Sequence, residues 1–205
     1  MPKRNSRRLR PASLSAIAPH GPAENRNPPR RRTPIVPCEH LFQFEMPDAT
    51  PAMTAVYARG EAQLLLAKVR YNRLVDMALG LLTYSLESQV RATVPNVGPV
   101  EIDELYLGLG QTGRRFIVVV HVQSETNQLG IVQIEQDLAF CSHAFPDLSP
   151  RLVAVQFKKD DDGEVIVMFE LYQRGDEIKQ RAERHYRLVP ADQISKQDLE
   201  KMANG

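Results

Sequence analysis

Two β-rich runs near the middle of the chain decide how its fold is interpreted: VEIDELYLGL (residues 100–109) and RFIVVVHVQSE (residues 115–125). The connection between them, GQTG (residues 110–113), is short and contains two glycines, as is typical of a turn between paired strands. The second run is apolar on both faces from Phe116 to Val120, which places it inside a sheet. We therefore predict an antiparallel hairpin at the centre of the domain.

Helical spacing stands on both sides of this hairpin. Apolar residues from Glu61 to about Arg91 recur at intervals of three, four and seven, which predicts one long amphipathic helix, with Gly80 as a candidate position for a bend or a break. A second helix is predicted from Asn127 to about His143, and three strands follow it at Leu152–Phe157, Val165–Tyr172 and His185–Val189. This order predicts an α/β or α+β fold with one core, in which helices flank a central mixed sheet that contains the hairpin.

The overall composition is that of a globular protein. The chain has 205 residues, of which 42% are hydrophobic and 25% charged, so a sizeable core can be buried. No window approaches the roughly 18 consecutive apolar residues of a membrane span, so we expect no membrane partner. The two cysteines are too few for a disulfide framework, and we expect a reducing cytoplasm.

Charge is distributed unevenly along the chain. Of 26 basic and 25 acidic residues, nine basic and one acidic lie in residues 1–33, so the remainder carries 17 basic against 24 acidic residues. We expect a disordered basic tail rich in Pro and Arg over 1–37, a linker over 38–60, the folded domain over 61–190, and a short C-terminal helix and tail over 191–205, with Ser195 as helix cap. The tail is interpreted as a basic arm that adds affinity for nucleic-acid phosphate backbones. The alternatives are a solvated extension, translation from an upstream start codon, or an organelle transit peptide.

Polar side chains on the hairpin suggest a site. Side chains alternate along a strand, so Asp103 and Glu104 point to opposite faces, while His121, Gln123 and Glu125 project together. The hairpin pairing places Asp103 opposite residues 121–123. Two carboxylates and an amide oxygen are ligands suited to Mg²⁺ or Mn²⁺, which would polarise a phosphate and activate water. Without such a site, Asp103 and Glu125 are solvated charges at strand ends.

Five segments, in order, resemble a bacterial group of the PD-(D/E)XK restriction-endonuclease-like superfamily. VEIDELYLG (residues 100–108) resembles the strand with the first metal-binding aspartate, and VHVQSE (residues 120–125) resembles the (D/E/Q)-x-K strand. The remaining segments resemble the flanking helices and the closing strand: LAKVRYNRL (66–74), QIEQD (133–137) and RHYRLVP (184–190). The resemblance covers about residues 61–190 and implies a restriction-endonuclease-like core.

The resemblance also implies a function, a metal-dependent DNA endonuclease acting in restriction or repair. It assigns Asp103 as first metal ligand, Gln123 to the acidic position and Glu125 to the lysine position, with Mg²⁺ or Mn²⁺ held by Asp103 and Glu125. Gln136 resembles the glutamine of a Q-x-x-x-Y element and is an accessory candidate. Gln123 lacks the usual charge and Glu125 reverses it, so the lysine that stabilises the phosphorane is missing. The alternative is a catalytically inactive nuclease-fold protein that acts as a DNA-binding or protein-interaction module.

Five arginines are candidates for DNA contacts: Arg30, Arg31 and Arg32 in the tail, and Arg70 and Arg73 on the predicted long helix. The other interpretation of Arg70 and Arg73 is an internal salt-bridged face with Asp76. A homodimer, common among restriction enzymes, stays open. So does a resemblance to RNase H-like transposases, carried by Asp-Glu-Leu-Tyr (residues 103–106) before a glycine turn; that fold needs a second aspartate downstream.

Overall fold

The computed structural model describes residues 35–39, 41–123, 129–175, 177–194, 196–197 and 200. Several sequence predictions fall outside these residues: the basic positions Arg30, Arg31 and Arg32 with most of the predicted tail, the helix cap Ser195, and Glu125.

The protein is α+β, with one seven-stranded mixed sheet flanked by helices. The strands are β1 (Gln43–Pro47), β2 (Leu82–Val94), β3 (Gly98–Leu109), β4 (Arg115–Val122), β5 (Ser149–Asp160), β6 (Gly163–Arg174) and β7 (Glu177–Val189). The helices are α1 (Ala52–Tyr57), α2 (Glu61–Tyr71), α3 (Leu74–Leu79) and α4 (Ile131–Ala144), and a 3₁₀ turn follows β7 at Ala191–Gln193. The strand order is β1-β7-β6-β5-β4-β3-β2. The β4–β5 and β1–β7 pairs are parallel and all others are antiparallel.

The predicted central hairpin is confirmed. β3 and β4 pair antiparallel, with Leu109 opposite Arg115. The turn is closed by the Gly110 N–H, which donates to the Arg114 carbonyl over 2.8 Å. Gly113 has a φ of +79°, a conformation that a glycine adopts without steric cost. The residues from Ile117 to Val120 are fully buried, as their two-sided apolar pattern predicts.

The prediction of one helix from Glu61 to Arg91 is wrong beyond Leu79. Arg73 takes a left-handed conformation that separates α2 from α3, and Gly80, with a φ of +64°, ends α3. The Thr83 N–H donates to the Asp76 carboxylate over 2.8 Å, which holds the reversal into β2. The spacing of Leu82, Leu86 and Val90 imitated a helix by coincidence.

The other elements lie close to their predicted positions. The three predicted C-terminal strands lie within β5, β6 and β7, which are longer, and the predicted second helix corresponds to α4. Residues 38–60, expected to form a linker, contain α1 and β1, and β1 pairs in parallel with β7 at the sheet edge. Among the described residues, no helix combines the length and apolarity that a bilayer span requires.

Apolar residues fill both faces of the sheet. The α4 side holds the core cluster that includes Ile102, Leu105, Val119 and Ile134. The α2–α3 side holds the cluster that includes Leu65, Val69, Tyr106 and Val120. Leu105 and Tyr106 thus point to opposite faces, as the predicted alternation requires. β3, β4 and the parallel neighbour β5 are the central strands on which the site is built.

Candidate functional site

Asp103 lies where the pairing between β3 and β4 ends. The last registered pair is Glu104 opposite Val120. Beyond this pair, the Val122 N–H donates to the Asp103 side chain, at Oδ2 over 2.8 Å, and not to a backbone carbonyl of β3. The Asp103 side chain is 44% exposed. Its Oδ1 makes no hydrogen bond to the described residues and is available to a ligand.

His121 stands between two carboxylates from different elements. Its Nε2 lies 2.8 Å from Asp137 Oδ2 on α4, and its Nδ1 lies 3.5 Å from Asp103 Oδ2 on β3. The Gln133 side-chain nitrogen is 3.4 Å from the same Nδ1. The side chains of His121 and Asp137 are 5% and 0% exposed, respectively. The cluster therefore ties β3, β4 and α4 together at one point, with Asp103 as its solvent-facing end.

This geometry favours the charged imidazole. Burial alone would lower the pKa of His121, but the hydrogen bonds and charges of Asp103 and Asp137 outweigh it and raise that pKa to about 9. Burial opposes ionisation of Asp103 as well, yet the His121 ring and the Val122 N–H hold the pKa of that carboxyl below its ordinary value. Burial raises the pKa of Asp137 in spite of His121. At neutral pH the cluster contains an imidazolium next to an ionised Asp103.

Asp103 borders a cleft of about 890 Å³ at this end of the sheet. Its walls come from the ends of β4 and β5, the beginning of α2 and residues 35–39. Polar lining residues are Glu39, Glu61, Asp103, Gln123, Gln156, Lys158, Lys159 and Glu164, and apolar ones include Val36, Leu65, Val122 and Phe157. Lys158 and Lys159 belong to this lining and form no ion pair with any described residue.

Gln123 is the unusual member of this lining. The residue is 4% exposed, and neither Oε1 nor Nε2 has a hydrogen-bond partner in the described part of the chain. Its backbone N–H donates to the Val155 carbonyl over 2.7 Å, which fixes the residue at the end of β4 next to β5. A buried amide without partners costs about 1–3 kcal/mol. Such a group calls for an explanation, and a ligand in the cleft is one.

The opposite face of β3 carries a second carboxylate cluster. Glu104 is fully buried, and its Oε1 lies 2.6 Å from an Arg70 nitrogen of α2. Arg70 also donates to the Ser88 hydroxyl, and the Ser85 hydroxyl donates to Glu104 Oε1. This network binds α2 to β2 and β3 and does not border the cleft.

The predicted site residues are brought together only in part. Asp103 and Gln123 line one cleft, while Glu125 lies outside the described residues. Gln136 is half-buried on α4 and is not among the cleft residues. Arg70 is paired with Glu104 and Arg73 with Asp76, which is the internal salt-bridged face.

Sequence reasoning missed Asp137 and Gln133, and it treated His121 only as a neighbour of Gln123. The signal was present. Gln133 and Asp137 are spaced i, i+4 and so share one face of α4, and that face also carries the apolar residue Ile134. A buried polar residue on such a face requires a partner, and His121 is the polar residue of an otherwise apolar strand.

The described residues do not on their own provide a site for a divalent metal ion, and the predicted ligand Glu125 lies outside them. They contain no group of three or more His, Cys, Asp or Glu side chains with metal-binding geometry. Mg²⁺ and Mn²⁺ require several oxygen ligands, and here the carboxylate of Asp103 already has an imidazolium next to it. That positive charge opposes a second cation at the same oxygens.

Comparisons with protein-family models, with curated proteins and with solved structures find no match to this chain.

Proposed function

We propose that this protein binds nucleic acid through the cleft beside Asp103, on a restriction-endonuclease-like core that has lost phosphodiester cleavage. The observation that carries this proposal is the contact between Asp103 and His121, where a nuclease would need a second carboxylate. The proposal corresponds to the non-catalytic alternative raised by the sequence.

The order of elements supports the resemblance on which the proposal rests. The five resembling segments fall on α2 with the beginning of α3, then β3, β4, α4 and β7. The aspartate strand and the following strand form the antiparallel hairpin, and α4 leads from β4 into its parallel neighbour β5. The segments thus belong to one sheet and its covering helices.

The geometry favours a register two residues earlier than the one taken from the sequence. The sequence assigned Gln123 and Glu125 to the acid and lysine positions. The residue that lies against Asp103 is His121, and Gln123 lines the same cleft two residues further along. In this register His121-Val122-Gln123 occupies the (D/E)-x-K position, with neither a carboxylate nor a lysine.

Both replacements remove parts of the cleavage chemistry. An imidazolium at the second ligand position repels a metal ion and neutralises Asp103 in its place. A neutral amide at the lysine position supplies no positive charge to a phosphorane. What remains is a cleft lined by hydrogen-bonding groups, by Lys158 and Lys159, and by four carboxylates.

Positive charge for phosphate contacts is available at the cleft and in the N-terminal sequence. Lys158 and Lys159 line the cleft without an ion pair to any described residue. Nine basic residues lie in residues 1–33. Lys and Arg contacts to phosphates release counterions, so the affinity falls steeply with salt.

The test combines binding and cleavage on the full chain. Fluorescence anisotropy with labelled single-stranded and duplex DNA in EDTA, at 50 and 200 mM salt, should show salt-dependent binding. The Lys158→Ala/Lys159→Ala protein should bind at least fivefold more weakly, whereas the charge-matched control Lys179→Ala/Lys196→Ala should match the parent. Supercoiled plasmid should stay intact in Mg²⁺ and in Mn²⁺. No binding at either salt concentration would overturn the proposal.

Metal-dependent cleavage with Asp103, Gln123 and Glu125 is the second candidate. It is favoured by the Gln123 amide oxygen, which has no partner among the described residues, and by Asp103 on the lining of the same cleft. Plasmid nicking by the parent that disappears in Asp103→Ala would establish this candidate and reject the non-catalytic one.

A further inference from the structure

We propose that Gln123 and Asp103 together recognise one unstacked nucleobase that carries an exocyclic amino group, such as adenine or cytosine, inside the cleft. This inference rests on the proposed nucleic-acid-binding function and names the part of the nucleic acid that the cleft selects.

The unpartnered amide of Gln123 is the first observation. The side chain offers one acceptor and two donors; both polar atoms are buried, and neither has a hydrogen-bond partner among the described residues. A ligand with an adjacent donor and acceptor satisfies both sides of that amide at once. Adenine presents such a pair at N6 and N7, and cytosine presents one at N4 and N3.

Asp103 adds the selection for an amino group. Its carboxylate is ionised at neutral pH, because the pKa is held below the ordinary value, and it therefore only accepts hydrogen bonds. Oδ2 is engaged by the Val122 N–H and lies near the His121 ring, and Oδ1 makes no hydrogen bond to the described residues. An exocyclic amino group can donate to this oxygen, whereas thymine has only a carbonyl oxygen at the corresponding position and is repelled.

The remainder of the lining suits a nucleotide better than a small polar molecule. Val36, Pro37, Leu65 and Val122 give the cleft apolar walls, and Phe157 adds an aromatic ring. Lys158 and Lys159 supply two ammonium groups on the same lining for a phosphate. The apolar walls correspond to the face of a base, the Gln123 amide to its edge, and the lysines to the phosphate of the same nucleotide.

The burial of Gln123 restricts the form of the nucleic acid. At 4% exposure the amide cannot reach into the groove of an intact duplex. A base must leave its stack to meet it, so single strands, mismatches and ends are favoured over paired duplex.

The experiment measures base preference by anisotropy with labelled oligonucleotides of one base type, dA, dC or dT, in EDTA at 50 mM salt. The parent should bind the dA and dC oligonucleotides about tenfold more tightly than dT. Gln123→Leu, which keeps the approximate volume without polar atoms, and Asp103→Asn should both reduce this ratio to below threefold. Gln111→Leu, at an exposed position of the hairpin turn, is the matched control and should keep the parent's ratio.

The outcomes separate this inference from the proposed function. Equal binding of all three oligonucleotides by the parent, or a preference that survives in Gln123→Leu, would overturn the base-recognition inference and leave nucleic-acid binding standing. Absence of binding to every oligonucleotide would overturn both. Thermal unfolding of each variant, compared with the parent, shows that a lost preference is not lost folding.

Discussion

Two neighbouring carboxylates of β3 point to opposite faces of the sheet and are used differently. Glu104 is fully buried under α2 and is held by Arg70 with the hydroxyl group of Ser85. Asp103 is half-exposed at the cleft and is held by His121 and a backbone N–H. Each face thus carries one carboxylate of β3, and the two carboxylates differ in their partners and in their exposure to solvent.

The partners decide what each carboxylate can do. A guanidinium keeps its charge at every physiological pH, so the Arg70–Glu104 pair is a permanent link between α2 and the sheet. An imidazolium releases its proton within an accessible range, and Asp103 has an oxygen free for a ligand. We therefore assign a structural role to Glu104 and a binding role to Asp103.

The largest expected effect is on the Glu104 side. Arg70→Ala leaves the charge of Glu104 buried without its cation, and the free energy of unfolding should fall by about 3 kcal/mol or more. Urea denaturation at pH 7 measures it. Arg91→Ala, whose pair with Glu101 is exposed on both sides, is the control and should change stability by less than about 0.5 kcal/mol. Equal effects of both substitutions would show that the Arg70–Glu104 pair is not the link described.

The second effect is a pH dependence that belongs to the Asp103 side alone. The pKa of His121 is raised in the folded protein to about 9, above its ordinary 6.5. Its stabilising contribution is therefore complete below about pH 6.5 and is lost as the pH rises through about 9, by about 3 kcal/mol in all. The groups that face it are Asp103, Asp137 and Gln133. Urea midpoints at pH 6, 7.5 and 9.5 measure the loss.

Matched variants separate the two faces in this experiment. His121→Asn should remove most of the loss of stability between pH 6 and 9.5, because the titrating ring is gone. Arg70→Ala should keep it, although that protein is less stable throughout. A parent whose stability is constant across the range would contradict the charged state assigned to His121.

A smaller effect is expected for Asp103→Asn, because the carboxylate is half-exposed and solvent screens it. We expect about 1 kcal/mol less stability, below the cost of Glu104→Gln at the buried position. The His121 ring should titrate at a lower pH in Asp103→Asn than in the parent, as measured by NMR of the imidazole protons. An unchanged titration would mean that Asp103 does not support the imidazolium.

The smallest effect has the opposite sign. Gln123→Leu removes a buried amide without partners, so the free energy of unfolding should rise by about 1 kcal/mol. Denaturation in the absence of nucleic acid measures it. A loss of stability would indicate that the amide has a structural partner, and would weaken its assignment to a ligand.

The sequence predicted the strands better than the boundary of the first helix. The hairpin followed from a glycine turn between two runs of β-branched and apolar residues, which is local information. β2 was mistaken for helix because Leu82, Leu86 and Val90 match a helical spacing. The reversal depends on Gly80 and on the Asp76–Thr83 contact, and the latter becomes visible only in three dimensions.

The sequence indicated two residues of the candidate cleft and missed the contact between His121 and Asp103. Asp103 and Gln123 line one cleft, as their positions on the hairpin indicated. The pairing of His121 with Asp103 depends on the register of β3 against β4, which sequence alone fixed only to within a few residues. Asp137 belongs to another element, and its approach depends on how α4 packs on the sheet.

The most direct test of the central claim is Mn²⁺ binding at pH 7, followed by electron paramagnetic resonance of the free ion, for the parent and for His121→Glu. The parent should leave the signal of free Mn²⁺ unchanged at millimolar metal, because an imidazolium lies beside Asp103. His121→Glu should reduce this signal, because a second carboxylate replaces the imidazolium beside Asp103. Mn²⁺ binding by the parent that is abolished in Asp103→Ala would contradict the account and restore the metal-dependent nuclease.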